Sequence, residues 1–193
     1  GGKSIVMAQG MENQGLLVSG DLRPNRVAML KATIARYDVI ARIIAVDVLP
    51  RKLAWAEELG ATHVVDAAKE DAVARVRALS GGGGVDFAFE VVGTAKTIEQ
   101  ALLSTRRGGT CVAIGVCPAG TRLSIDPMLL LQQRVLTGSS FGAGHQRTDV
   151  PMLIDLYMTG KYKLDELITR RVPLRELNEA FDLMVQGEVK RSV

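Results

Sequence analysis

The sequence predicts one α/β domain built on a doubly wound, largely parallel sheet. Three observations predict it. From residue 42 onward, short β-branched runs alternate with stretches of helical period. Glycine or proline punctuates most of the junctions. The chain has 193 residues, of which 47% are hydrophobic and 23% charged, enough for one core covered on both faces of a sheet.

The elements follow in order. The run 42–47, RIIAVD, is apolar and ends in an acid, as a buried strand does. The next helix has Pro50 in its first turn, where a missing N–H costs nothing, and stops at Gly60. Residues 62–66 form a strand, and 68–79 a helix with Val73, Val76 and Leu79 at helical spacing. Gly81, Gly82, Gly83 and Gly84 invite reading as a phosphate cradle. A cradle, however, ends a strand and opens a helix. This run ends a helix and opens the strand 85–90, so a turn is the better reading. A helix over 95–106 and a strand over 110–116 come next. Asp126 and Pro127 have N-cap and first-turn character before a short helix, 128–133. Strand 134–140, a helix from Thr148 to about Gly160, strand 168–172 and a last amphipathic helix stopped at Gly187 complete the set. Strands and helices alternating in this way define a Rossmann-like, mostly parallel sheet in a single domain.

Charge and cysteine narrow the function classes. Net charge is +3, with 24 basic and 21 acidic residues interspersed, which argues against a nucleic-acid surface. Cys111 and Cys117 lie in one apolar stretch, too far apart along a strand to bridge, and read as reduced thiols of a cytoplasmic protein. No targeting segment or membrane-spanning run stands out, although the chain begins without Met. His63 and His145 are isolated and read as surface or loop residues rather than metal ligands.

In a doubly wound sheet, ligands bind beyond the carboxyl ends of the strands. An acid ending the second strand can accept both hydroxyls of an adenosine ribose, and it repels the additional phosphate of NADP. Asp47 fits this role, with Lys52 in reach from the following helix. The alternative is that Asp47 merely caps that helix.

From Arg42 to the end, the motifs RIIAVDVLPRKLAWAEELGATHVVDA, GVDFAFEVVG, GGTCVAIGV, SIDPMLLLQQRVLTGSSFG, DELITRRVPLRELNEAFDLM and GEVKRSV stand in order. In this region the chain resembles the nucleotide-binding domain of medium-chain, zinc-dependent alcohol dehydrogenases. The resemblance implies that Asp47 holds the adenosine ribose, with Lys52 assisting. It implies that Val91, Val92 and Gly93 border the adenosine half, that Val116 and Phe141 face the nicotinamide end, and that Arg191 contacts the cofactor diphosphate. Core packing is the alternative for Val92 and Phe141, and a solvated tail for Arg191. The resemblance also implies that zinc belongs to a catalytic domain whose Cys and His ligands this chain does not show, so no catalytic residue or metal ligand is named. Strand 134–140 resembles the edge through which family dimers extend their sheet, and a homodimer is expected there.

Residues 1–41 fit less well. The strand before Arg42 should be followed by a turn with three glycines. Here Leu16, Leu17, Val18 and Ser19 have strand character, but the turn Gly20-Asp21-Leu22-Arg23-Pro24 has one glycine and places Asp21 where a diphosphate would come. Asp21-Leu22-Arg23-Pro24-Asn25-Arg26 instead parallels Asp47-Val48-Leu49-Pro50-Arg51-Lys52. Residues 1–37, with Gly1-Gly2-Lys3 and Asp21, resemble the cofactor region of the NOL1/NOP2/sun-type RNA cytosine-5 methyltransferases, whose acid holds the ribose of S-adenosylmethionine. The expectation is a chimeric join near residues 37–41, with strand 16–19 in the vacant first-strand slot and residues 22–36 as its crossover helix. The function expected is the NAD(H)-binding half of an alcohol dehydrogenase-type oxidoreductase, with binding impaired by the missing glycines and no turnover by itself. The alternatives are an S-adenosylmethionine-dependent methyltransferase fragment and a chimera that binds neither cofactor.

Overall fold

A computed structural model describes residues 16–19, 42–140, 142, 144–162 and 164–193. Strands β1 (Leu16–Ser19), β2 (Arg42–Asp47), β3 (His63–Asp66), β4 (Val85–Glu90), β5 (Thr105–Ala113) and β6 (Val135–Gly138) form one sheet in the order β3-β2-β1-β4-β5-β6. Every pairing among them is parallel. This is the doubly wound order, which reverses direction at β1.

The expected filling of the first-strand slot is observed. Leu17 lies opposite Ile43 of β2 on one side and Phe87 of β4 on the other. The turn Gly20 to Pro24, Asp21, the helix expected over 22–36 and the expected join at 37–41 lie outside the described residues.

Side-chain alternation places two cores. Ile44 and Val65 face α2 (Ala72–Leu79) and α3 (Ala95–Ser104), with Ala72, Val76, Val85 and Ala88. Ile43, Phe89 and Val112 form the core of the opposite face, on which Ala61 also packs. Helix α1 (Pro50–Glu58) packs on β2 and β3.

The helix ends follow local chemistry. Asp71, Thr94 and Asp126 each accept a backbone N–H at the start of α2, α3 and α4 (Pro127–Leu131). At the other end of α3, Arg77 Nε donates to the Leu103 carbonyl at 3.1 Å and Arg134 Nε to the Thr105 carbonyl at 3.0 Å. Cations there complement the carbonyl end of the helix dipole. The four-glycine run is a turn, as its place in the sequence indicates, with Gly81, Gly82 and Gly84 at positive φ.

Two boundaries differ from expectation. Strand β5 begins at Thr105, because the chain passes directly from α3 into the sheet. Residues 168–172 do not form a strand of the sheet. Arg170 makes an isolated parallel bridge with Ser192, and the Val172 N–H reaches the Val193 carbonyl at 2.9 Å. The β-branched composition supports an extended conformation, but the available partner is a short C-terminal tail and Pro173 ends the pairing. The remaining helices, α5 (Gln146–Met158) and α6 (Leu177–Val185), fall close to where the pattern puts them.

Candidate functional site: the carboxyl edge of the sheet

Three strands end in an acid at the same edge, and each acid accepts the backbone N–H two residues on. Asp47 Oδ1 accepts from Leu49 at 2.9 Å, Asp66 Oδ1 from Ala68 at 3.0 Å, and Glu90 Oε1 from Val92 at 2.8 Å. Their remaining valences differ. The Lys69 ammonium, 2.8 Å from Asp66, hydrogen-bonds to it and lowers its pKa from the ordinary carboxylate value. Glu90 is 4% exposed, and its Oε1 also accepts from Gly93 N–H at 2.7 Å and Thr97 Oγ1 at 2.8 Å. Asp47 is half-buried, and among the described residues nothing donates to its second oxygen. It does not cap α1, whose N-cap is Leu49 without a side-chain bond.

Glu90 is the residue of this edge that the sequence reading did not single out. Its Oε1 gathers two backbone N–H groups and so shapes the turn Val91-Val92-Gly93. The signal was present, since an acid ending an otherwise apolar strand stands out in VDFAFE. Its second oxygen is buried and has no partner among the described residues.

The loops after β4 and β5 are pressed together. Ile114 and Gly115 N–H donate to the Glu90 carbonyl at 2.7 and 3.1 Å. Gly93 has φ +89, and a Cβ there would meet the Val116 backbone. A Cβ on Gly115 would fall onto the Gly93 backbone. Glycine at both positions is therefore what lets Val91, Val92, Gly93 and Val116 come together. Val92 is 46% exposed and Val116 90%, so neither is a core residue. Val48, beside Asp47, is 57% exposed and adds a third apolar side chain to this edge.

A mostly apolar cavity of about 90 Å³ lies between the sheet and helices α2 and α3. Val46, Val76, Glu90, Val91, Val92 and Thr97 are among the residues lining it. It brings the residue before Asp47 and the turn after β4 into one space.

Lys52 and Arg191 do not line this cavity. Lys52 is in the first turn of α1, with its Nζ 3.7 Å from where a Cβ on Gly187 would be. Arg191 is exposed, and its carbonyl accepts from Thr169 N–H at 3.0 Å. Phe141 lies outside the described residues. His63 Nδ1 pairs with Thr62 Oγ1 at 3.0 Å, and His145 occupies the N-cap position of α5. Among the described residues, no three of His, Cys, Asp and Glu converge as metal ligands would.

The family model for zinc-binding dehydrogenases matches residues 27–159, more than half of the chain. The chain belongs to that family. It is 41% identical over 159 residues to the alcohol dehydrogenase class-3 of Cereibacter sphaeroides. It is 40% identical over 158 residues to the S-(hydroxymethyl)glutathione dehydrogenase of Paracoccus denitrificans. Each alignment covers 78% of this chain but only 42% of the relative. Among solved structures, an alcohol dehydrogenase zinc-binding domain protein from Burkholderia ambifaria superposes with a TM-score of 0.81, at 27% identity over 98% of this chain and 51% of that one. The benzyl alcohol dehydrogenase of Acinetobacter calcoaceticus gives 0.78, at 28% identity over 92% and 48%. The family match begins at residue 27, inside the segment that resembles a methyltransferase, and no finding supports that second resemblance.

Proposed function

We propose that this chain is the NAD(H)-binding part of an alcohol dehydrogenase-type oxidoreductase, with its adenosine site at the carboxyl edge of the sheet. One observation carries the reading: Asp47 is the strand-ending acid that stays accessible and whose second oxygen has no partner among the described residues. That oxygen would accept from the adenosine ribose hydroxyls, as a charge-assisted hydrogen bond. The exposed faces of Val48 and Val92 would flank the adenine ring, and Glu90 would hold the turn that presents Val92. Val116 and Phe141 would face the nicotinamide, which when bound supplies hydride transfer.

The residues present fit the adenosine half. For the diphosphate, the sequence offers Gly20 alone and an adjacent Asp21, outside the described residues, so binding weaker than that of a three-glycine turn is expected. The chain spans about two fifths of its curated relatives. We therefore assign it cofactor binding and expect no alcohol oxidation from this chain alone. Zinc enters this reading only through the part of the relatives that the chain does not span.

We also propose a homodimer through β6. It is one of the two outer strands of the sheet, and Val135 on it, with Met128, Leu130 and Leu131 before it, is exposed. Light scattering at high micromolar concentration should give twice the chain mass, and a monomer would reject the pairing.

Fluorescence titration with NADH tests the cofactor reading. The unaltered chain should bind saturably, and Asp47→Ala should bind on the order of tenfold or more weakly, as loss of a charge-assisted hydrogen bond entails. Equal affinity in the variant would remove Asp47 from the site.

A further inference from the structure

The C-terminal tail closes over the helix that follows Asp47. Gly187, at φ +69, a conformation that favours glycine, lies against the ends of two side chains of that region: a Cβ there would lie 2.9 Å from Leu49 Cδ1 and 3.4 Å from Lys52 Cε. Beyond it, Glu188 pairs with Arg51 at 3.7 Å. Lys190, whose side chain is only 12% exposed, reaches Glu58 Oε2 at 3.2 Å. Its ammonium also lies 5.2 Å from the centre of the Trp55 ring, and the Arg51 guanidinium lies 5.7 Å from it. The next residue is Arg191, and the Lys190 N–H is fixed on Thr169 Oγ1 at 3.1 Å.

A largely buried lysine needs compensation. Here it has a carboxylate and an aromatic face, both from α1. The exposed Arg51–Glu188 pair would contribute little by itself. The Lys190 side chain, largely covered although its partner Glu58 is open to water, is where the segment gains its hold, chiefly through the Trp55 ring. The segment therefore does more than follow α6. It joins the two cationic residues assigned to the cofactor, Lys52 and Arg191, through one short segment.

We propose that Gly187 to Arg191 is a positioning strap: Lys190, clasped by Trp55 and Glu58, fixes the tail against α1 and so sets Lys52 toward the ribose and Arg191 toward the diphosphate. The strap rests on the cofactor reading above. Lys190, Trp55 and Glu58 are positioning residues in it and touch no ligand.

The test uses the whole chain, with Lys190→Met, Lys190→Arg and Glu58→Gln as variants and NADH, adenosine diphosphate ribose and adenosine as probes, well below the melting point. Lys190→Met should bind adenosine diphosphate ribose about tenfold more weakly, a typical size for coupling between sites. Adenosine, which lacks the diphosphate, should lose less. Glu58→Gln should fall between, and Lys190→Arg should recover most of the affinity. A Tm that drops in Lys190→Met with unchanged affinities for all three probes overturns the strap, because it would then be a stabilising contact only. An equal loss for adenosine and adenosine diphosphate ribose overturns the role assigned to Arg191. Absence of NADH binding in the unaltered chain overturns the cofactor reading and the strap with it.

Discussion

At the scale of single residues, partners separate groups that look alike in the sequence. Asp47, Asp66 and Glu90 all end strands, yet among the described residues only Asp47 of the three combines accessibility with an unpartnered oxygen. The two thiols divide in the same way. Cys111 is fully buried in β5, and burial, with the nearby Glu90 carboxylate, pushes its pKa up to about 12. Cys117 is partly exposed beyond the strand. Iodoacetamide at pH 8 should therefore modify Cys117 and spare Cys111 until the protein is denatured. Peptide mass spectrometry reads this, and equal labelling of both would contradict the buried placement. The linkage has a definite sign. Below the ordinary thiol value of 9.0 both states carry a neutral Cys111, so it adds no pH dependence; between about 9 and 12 only the unfolded chain ionises, and stability falls as pH rises. Asp47 was legible in the sequence because an acid closing an apolar run is a visible pattern. The oxygen left open by the described residues was not, since it depends on which donors the fold brings near.

At the scale of elements, the site depends on two loops in backbone contact. Gly115→Ala places a methyl group on the Gly93 backbone, which cannot yield without separating the loops. It should lower unfolding stability by about 2 kcal/mol or more, the range of overpacked interiors. Gly83→Ala, with nothing within 4 Å of its new methyl group and no positive φ, should stay within about 0.5 kcal/mol of the parent. Urea denaturation distinguishes the two, and similar losses would mean the loops are not locked. Element types were readable from period and punctuation, as α1 shows with Pro50 at its start. The region 168–172 was misread because β-branched composition reports an extended backbone and says nothing of which partner the topology supplies. The mutual approach of Gly93 and Gly115 was equally hidden: they are distant in sequence and meet only because β4 and β5 are neighbours.

At the scale of the whole molecule, the strand order brings the site residues to one edge. β1 lies between β2 and β4, so Asp47 and the Val91-Val92-Gly93 turn stand on either side of it. Alternating strands and helices made the parallel sheet legible, and strand 16–19 takes the slot inferred for it although a single glycine follows it in the sequence. The family match reaches back to residue 27, ahead of the motifs from Arg42 that carried the resemblance. The central claim is that the adenosine of NAD(H) sits at this edge. Amide NMR of the isotope-labelled chain during NADH titration tests it most directly. The account predicts saturable shifts concentrated at Val46, Asp47, Val48, Val91, Val92, Gly93 and Val116. Shifts centred on the Gly81-to-Gly84 turn at the opposite edge, or none at saturating NADH, would contradict it.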